Sequence, residues 1–192
     1  MQSIIIKQKK RKWQNKYLFY CTAIFFALGV SNFAVAQEKV FPVPVGNTKQ
    51  LFFLQRTPNT NTIICELNYK DGIVDKDDPV YVYWIRYQEN GQIQELNYVQ
   101  KKFAYGIKAK EIGLNKYELN FVSYKKYKMY LMQAADKLFH VYTTINNKQV
   151  ILNRIYIAIK EGGSFWSPNI QYIELSGIDA VSHLPVKERL KI

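Results

Sequence analysis

The chain has 192 residues, a length that suits one domain with a real hydrophobic core. Its formal net charge is +12, but six of the positive charges lie within residues 7–16, so the rest of the chain carries only +6. That surface is too weakly basic for a nucleic-acid footprint. Fifteen tyrosines are unusual, and tyrosine suits half-packed, half-wet positions such as ligand-facing strands.

The amino-terminal segment predicts an export signal. Residues 7–16 are basic and contain no acid, and an apolar run follows at residues 17–30, roughly 14 residues long. That length is typical of a signal-peptide core and short for a membrane span. Ala34-Val35-Ala36 places small residues where a signal peptidase recognises them. We therefore expect residues 1–36 to be a signal peptide, with an uncleaved membrane anchor as the alternative.

Cleavage after Ala36 would leave residues 37–192 as a single exported β-rich domain, in the periplasm or outside the cell. Removing 36 of the 192 residues leaves 156, and none of them is expected to span a membrane. A lipid anchor is disfavoured because Tyr20, not a small residue, precedes Cys21. Only Cys65 remains after cleavage, so an intramolecular disulfide is impossible. Cys65 lies on the same predicted strand face as Ile63 and Leu67. This position favours a small buried hydrophobic side chain over a nucleophile.

The first half of the domain is predicted to form strands. We place two at residues 51–55 and 63–69, separated by a polar turn. Residues 80–87 are the densest run of strand-forming side chains in the chain. With a period of two, Val80, Val82 and Trp84 share one face, and tyrosines dominate the other. Because neither face is plainly a solvent face, we predict a central strand rather than an edge strand.

A hairpin and a helix are predicted next. Asn90-Gly91 is a strong hairpin signal, because both residues accept a positive φ. Beyond it the apolar residues recur at three- and four-residue steps: Leu96, Val99, Phe103 and Ile107. This spacing predicts a helix over residues 94–105 that Gly106 ends in a left-handed cap, although a strand is the alternative.

The second half of the domain returns to alternation, with strands predicted at residues 117–124, 127–132, 138–144, 150–160 and 170–175. Lys125-Lys126 is expected to form a tight turn, and the segment around Asn146-Asn147 a hairpin. Gly177 is expected to end the last strand, leaving residues 178–192 as a polar, peripheral tail. Eight or nine short strands predict a mainly β fold, either an antiparallel β-sandwich or an open barrel with one short helix.

Four groups of residues carry a resemblance to a known family. They are residues 51–56 with Asn59, Asn61 and Thr62; residues 103–106; residues 142–146; and residues 162–166 with residues 172–175. Together they resemble an uncharacterised family of exported bacterial proteins, described as a domain of unknown function (number 4833). The likeness covers roughly residues 41–179. It implies an exported single domain, and it brings no activity and no catalytic residues.

Cationic and aromatic side chains in or beside the predicted strands suggest a binding cleft. Guanidinium groups suit carboxylate and phosphate, and aromatic faces suit sugar rings or acyl chains. The candidate ligand-binding residues are Arg56, Trp84, Arg86, Tyr105, Lys125, Arg154 and Trp166. We therefore expect a cell-envelope binding or structural module that recognises an anionic or glycan ligand. In the alternative interpretation, Arg86 and Arg154 pair with internal glutamates: Glu66, Glu118 or Glu174.

Possible partners are an envelope glycan, an anionic lipid or an acidic protein. In the alternative interpretation, the net charge of +6 only keeps the domain soluble and indicates no partner. If the protein instead has a structural role, we expect it to join a larger envelope assembly by pairing an exposed strand with that assembly.

Catalysis and metal binding have little support in the sequence. It contains no nucleophile elbow and no histidine-containing metal motif. An envelope glycan or lipid hydrolase with a loop-built site near His140 and Ser164 is the alternative function. Four aspartates crowd the segment at residues 71–78, but their spacing does not match a calcium loop. We predict a solvated loop there, with no catalytic residue, no metal and no cofactor.

Overall fold

Strands dominate the computed structural model, which describes residues 40–164 and 167–191. In chain order they are β1 (Gln50–Arg56), β2 (Thr62–Leu67), β3 (Tyr69–Lys70), β4 (Ile73–Val74), β5 (Val80–Arg86), β6 (Gln92–Glu95), β7 (Ile107–Gly113), β8 (Lys116–Phe121), β9 (Tyr124–Gln133), β10 (Phe139–Ile145), β11 (Lys148–Lys160), β12 (Asn169–Asp179) and β13 (Pro185–Lys191). A 3₁₀ helix at Tyr87–Glu89 and the α-helix α1 at Tyr98–Phe103 complete the elements. The predicted signal peptide lies outside the described residues.

The longest strand, β11, organises the main sheet because three strands pair with it. One edge of β11 pairs with β12 over its whole length, from Val150 opposite Asp179 to Lys160 opposite Asn169. The other edge is shared, since β10 pairs with the first part of β11 and β1 runs parallel to the later part. Two wings therefore leave the same edge of β11. The first wing is β1-β2-β5-β6, and the second is β10-β9-β8-β7.

The eleven-stranded sheet curls into a half-barrel with one short α-helix, which confirms the predicted mainly β class. Among the described residues, every strand pair is antiparallel except β1 with β11, which is parallel. None of the helices in the described part of the chain has the length and apolar character needed to cross a membrane.

One hydrophobic core lies between the two wings. Phe52 of β1 meets Phe121 of β8 edge to face, with their ring centroids 6.2 Å apart, and both rings are buried. Trp84 of β5 meets Tyr105, which follows α1, at 5.2 Å. Burying one such aromatic side chain contributes about 2 to 3 kcal/mol. The wings are therefore held together by aromatic contacts that cross from one to the other.

The predicted central strand is confirmed. β5 pairs with β2 on one side and β6 on the other, so it is not an edge. Val80, Val82 and Trp84 belong to the main core, as the alternation predicts. Tyr83 packs on the opposite face of the sheet in a second, smaller cluster with Phe53 and Ile64.

Both asparagine turns form as predicted. Asn90 and Gly91 have φ values of 59° and 73°, and the strands that they join, β5 and β6, are paired. Asn146 and Asn147 have φ values of 49° and 61° and connect β10 to β11 as a two-residue turn. Asparagine and glycine tolerate these left-handed conformations, so the local sequence is sufficient to place the turns.

The predicted helix over residues 94–105 is too long. Gln94 belongs to β6, and α1 begins only at Tyr98. The reason is a capping box, in which the Asn97 side chain accepts from the Gln100 N–H while the Gln100 side chain accepts from the Asn97 N–H. Gly106 is also not a left-handed cap. A Cβ at Gly106 would lie 1.9 Å from the Lys101 carbonyl oxygen, so glycine is needed there for close approach.

Three predictions for the second half of the domain are wrong. Lys125 and Lys126 lie inside β9, because the turn comes earlier and places Phe121 opposite Tyr124. Gly177 lies inside β12, not at its end. The tail is not peripheral, because β13 pairs with β12 and packs Val186 and Leu190 on the core. Charged residues at the alternate positions of β13 hid this strand from sequence reasoning.

The count of eight or nine strands was also too low. The described residues contain thirteen strands, and those not predicted are β3, β4, β6, β7 and β13. They are short or lie at an edge of the sheet, so most of their side chains are exposed and show little apolar alternation.

Substituting Gly177→Ala should destabilise the fold strongly. The new Cβ would lie 2.2 Å from the Ile151 carbonyl oxygen and 2.5 Å from a Val150 methyl carbon. We expect a loss of at least about 2 kcal/mol in the free energy of unfolding, seen as a fall in Tm of roughly 4 to 8 °C. Gly113→Ala is the matched control, because its nearest neighbour is the Lys116 Cβ at 3.9 Å. Equal melting temperatures for the two variants would contradict the strand register.

Candidate functional site

A cavity of about 690 Å³ lies where β1 and the later part of β11 end. This volume is typical of small-molecule sites. Its walls are largely aliphatic side chains from β1, β11, β12 and β13: Leu54, Ile155, Ile157, Ile159, Ile170, Ile173, Leu175 and Leu190. These residues point into the half-barrel from the sheet itself, so a rigid scaffold forms the apolar wall.

Most of the remaining described lining comes from the end of α1, from β8 and β9, and from connections between strands. Phe103, Ala104 and Tyr105 come from the end of α1 and the residues after it, Ser123 from the connection between β8 and β9, and Tyr124 from the start of β9. The Ser123 hydroxyl donates to the Ala104 carbonyl at 2.6 Å, which joins these two parts of the cavity wall. Lys160 at the end of β11, and Glu161 and Ser164 in the connection between β11 and β12, add further polar side chains to the described lining.

Arg56 places a cation in this apolar surrounding. Arg56 is the last residue of β1. It lies two residues after Leu54, so both side chains are on the strand face that lines the cavity. Its Nε is buried and has no hydrogen-bond partner among the described residues. No described carboxylate forms an ion pair with Arg56, not even Glu161, which shares the cavity. The guanidinium carbon lies 5.9 Å from the centroid of the Tyr105 ring, a cation–π distance.

Tyr105 connects Arg56 to a second unpaired donor. Trp84 packs against the same Tyr105 ring, and its indole N–H is buried without an acceptor among the described residues. Burial raises the pKa of Tyr105, and the charge of Arg56 together with a hydrogen bond from its side chain offsets part of that rise. Two residues that contact one phenol ring therefore each have a buried N–H without an acceptor among the described residues. Buried donors are almost always paired in folded proteins, and Arg56 lines the cavity, so its Nε favours an acceptor supplied from the cavity.

The structure brings together three of the seven candidate ligand-binding residues: Arg56, Trp84 and Tyr105. Of these three, Arg56 and Tyr105 line the cavity, whereas Trp84 contacts Tyr105 and is not itself a cavity-lining residue. Arg86, Lys125 and Arg154 are not among the cavity-lining residues either, and Trp166 lies outside the described residues.

Arg86 and Arg154 have partners within the protein. The Arg86 guanidinium donates to the Gln94 side chain at 2.8 Å and pairs with Glu89, which was not among the expected partners. Arg154 donates to the Gln55 side chain at 2.8 Å and lies 3.9 Å from Glu174. The expected internal pairing is thus confirmed for Arg154 with Glu174.

Glu174 is the centre of a structural charge cluster. Arg189 and Lys187 approach its carboxylate to 2.9 and 3.2 Å. Burial opposes ionisation, but the hydrogen bonds and charges of these two cations hold the pKa of Glu174 below its usual range. This buried carboxylate therefore remains charged and satisfies several cations at once.

Sequence reasoning did not assign the aliphatic wall or Tyr127 to the site. The shared face of Ile155, Ile157 and Ile159 was the available signal, but strand alternation does not distinguish a cavity wall from a filled core. Tyr127 lies between two lysines and looks solvent-facing in the sequence, whereas its ring lines the cavity.

The two residues of the hydrolase alternative are not brought together. Ser164 lines the cavity, and its Oγ accepts from the Ser167 N–H at 3.1 Å. His140 is not among the cavity-lining residues, and its Nε2 lies 3.1 Å from Asp136 in the β9–β10 hairpin.

Metal and thiol chemistry find no support in the described residues. Residues 40–164 and 167–191 contain no group of three or more histidine, cysteine or acidic side chains able to hold a metal ion. In the aspartate-rich loop, an Asp75 carboxylate oxygen accepts from the Asp77 N–H at 3.0 Å. Cys65 is fully buried, and burial raises the pKa of its thiol, so it packs as a hydrophobe as predicted.

A family model described as "Domain of unknown function (DUF4833)" matches residues 52–189. The match covers well over half of the chain and confirms the family resemblance seen in the sequence. No curated protein and no solved structure is significantly similar to the chain.

Alkaline unfolding should depend on Tyr127. Its ring lines the cavity, its hydroxyl accepts from Thr143 at 2.8 Å, and burial raises the pKa of Tyr127 to about 12. A free tyrosine ionises near pH 10, so the stability that the neutral phenol contributes is complete below that pH and is lost towards pH 12.

In urea titrations between pH 9 and 12, the wild type should lose on the order of 2 kcal/mol more stability than Tyr127→Phe. At pH 7 the variant should be at most about 1 kcal/mol less stable, because Thr143 loses the Tyr127 hydroxyl as a partner but keeps the Lys128 carbonyl at 3.3 Å. Parallel pH profiles for the two proteins would show that Tyr127 ionises freely in the fold.

Proposed function

The chain belongs to the DUF4833 family, a domain of unknown function, and we propose that it is a non-enzymatic cell-envelope binding module for an anionic amphipathic ligand. The acyl or other aliphatic part of the ligand occupies the cavity, and its carboxylate or phosphate head pairs with Arg56. The ligand class is narrower than the anionic or glycan ligand expected from the sequence.

One observation carries this proposal: an arginine with an unpaired buried Nε faces a cavity walled by aliphatic side chains. Removing a charge from water costs several kcal/mol unless a partner compensates for it. A carboxylate or phosphate would supply that partner, because its oxygens match the planar fork of a guanidinium group.

The cavity wall supports an aliphatic ligand over a glycan. Sugar rings require many hydrogen-bonding groups, whereas eight of the residues that line this cavity are Leu or Ile. Ser123 already donates its hydroxyl hydrogen to a backbone carbonyl, so it offers no donor to a sugar. An acyl chain needs no such donors and gains roughly 0.8 kcal/mol for each buried methylene group.

We also propose export. The support is the basic stretch, the apolar run and the Ala34-Val35-Ala36 pattern within residues 1–36. An exported module of this kind would meet acylated envelope components, and an envelope glycan or an acidic protein is a further possible partner.

Arg56→Met should remove the preference for anionic ligands. Calorimetric titration with dodecanoate, dodecyl phosphate and dodecanol separates the two possible head groups from the chain itself. Hydrogen bonds to a charged group contribute about 1.5 to 3 kcal/mol, so the wild type should bind its preferred anion at least about tenfold tighter than dodecanol. In Arg56→Met all three should bind about equally.

Arg86→Met is the matched control, because Arg86 pairs with Glu89 away from the cavity. It should keep the anion preference. Arg56→Met should also leave Tm unchanged or slightly higher, since it removes a half-buried charge without a carboxylate partner. Unaltered dodecanoate binding in Arg56→Met, or a large fall in its Tm, would assign Arg56 a structural role instead.

Export has a direct test. After expression of the whole chain in an exporting bacterium, amino-terminal sequencing of the envelope fraction should give Gln37 as the first residue. A start at Met1 would contradict cleavage and favour the membrane anchor.

A further inference from the structure

We propose that the surface around the cavity mouth docks on an anionic lipid bilayer. We call it the rim surface and define it by Tyr98, Val99, Lys102, Phe103, Tyr124 and Lys126. This inference deepens the proposed function and rests on it, because docking there would bring the cavity to a source of acylated anions.

The helix α1 exposes apolar side chains that a solvated helix would not be expected to carry. None of its six residues is buried. Tyr98 is 70% exposed, Phe103 49% and Val99 39%. Val99 and Phe103 are one helical turn apart, so they lie on the same side of α1. A cluster of exposed apolar groups next to a cavity is characteristic of an interaction surface.

Lysines are interleaved with these aromatic residues. The Lys102 ammonium lies 5.2 Å from the Tyr98 ring centroid and 5.4 Å from that of Phe103. Within the part of the chain that the structure describes, Lys102 and Lys126 form no ion pair. Lys101, by contrast, pairs with Glu95 at 3.8 Å. The positive charge of the rim surface is therefore available to an outside anion.

This combination fits a bilayer surface. Tyrosine prefers the boundary between headgroups and acyl chains, and lysine extends its ammonium group to anionic headgroups. An acidic protein would satisfy the lysines but would give no reason for exposed aromatic groups at a cavity entrance.

The rim surface is continuous with the cavity. Phe103 and Tyr124 are both exposed and both line the cavity, so the side chains that would enter the headgroup layer also form the entrance. The Ser123–Ala104 hydrogen bond holds the β8–β9 connection next to the end of α1. An acyl chain could then move between bilayer and cavity with little exposure to water. Glu161 is the one acidic residue among the described cavity-lining residues.

A site-specific probe tests docking of the rim surface in the full chain. In a Cys21→Ser background, Val99→Cys carries the environment-sensitive fluorophore NBD. The native Cys65 stays unlabelled, because it is fully buried and its thiol pKa is raised. The matched control is Val181→Cys, an exposed position (86%) beyond the opposite end of β12. All variants share the same amino-terminal segment, so its own membrane affinity affects both probes equally.

With phosphatidylglycerol vesicles, the probe at position 99 should shift to the blue and brighten, and the probe at position 181 should not. Phosphatidylcholine vesicles should leave both unchanged. Adding Lys102→Glu and Lys126→Glu should weaken the vesicle affinity reported by the probe at position 99 by at least about twentyfold. Each lysine is expected to contribute roughly fivefold to that affinity.

Three results would overturn docking on a bilayer: equal responses of the two probes, a response that ignores the lysine reversals, or a response to polyglutamate but not to vesicles. The last result would identify an acidic protein as the partner. Dodecanoate titration separates this proposal from the proposed function. Vesicle docking without an Arg56-dependent anion preference would refute the anion site alone, and the reverse pattern would refute the rim surface alone.

Discussion

The pairing of two strands with one edge of β11 is the constraint from which the architecture follows. β10 covers the first part of that edge and β1 the second, so the sheet divides into two wings that must face each other. The wings meet where Phe52 contacts Phe121 and where Trp84 contacts Tyr105. Towards the end of β1 the side chains no longer fill the space between them, and the cavity occupies it.

Two arginines on neighbouring strands have different surroundings: one pairs with a carboxylate inside the protein, and the other faces the cavity without one. Arg154 lies on β11 opposite Phe53, and it is satisfied by Gln55 and Glu174. Arg56 ends the adjacent strand and faces the cavity, where no described carboxylate pairs with it. Arg154, which supports the fold, thus has the Glu174 carboxylate as a partner. Arg56 contacts Tyr105, but its buried Nε has no partner among the described residues, and such an unsatisfied donor costs local stability.

The cavity and the rim surface are made by parts of the chain with different stabilities. The wall belongs to long, well-paired strands, and β11 alone spans thirteen residues. The rim belongs to a six-residue helix with no buried side chain, held by the Asn97–Gln100 capping box and by the contact of Ser123 with Ala104. Elements with few buried contacts open more easily than core strands. The cavity therefore combines a wall of long, well-paired strands with an entrance that has few buried contacts.

Much of the fold was determined locally, and the sequence alone was enough to predict it. The alternation in β5 and the two asparagine turns were correct, because side-chain direction and positive φ depend on a few adjacent residues. The strand β13 and the true start of α1 were missed. The apolar residues of β13 are separated by charged residues, and only their packing on the core identifies them as part of a strand. The helix begins at Tyr98 because the Asn97–Gln100 capping box fixes its start, although the helical spacing of apolar residues begins earlier.

For the site, residue chemistry identified Arg56, Trp84 and Tyr105 as plausible partners but could not separate them from Arg86, Lys125 and Arg154. Only the tertiary structure made that separation. Whether an arginine is paired or left facing a cavity depends on which strands lie beside it, and the contacts of β11 join residues about a hundred positions apart in the chain.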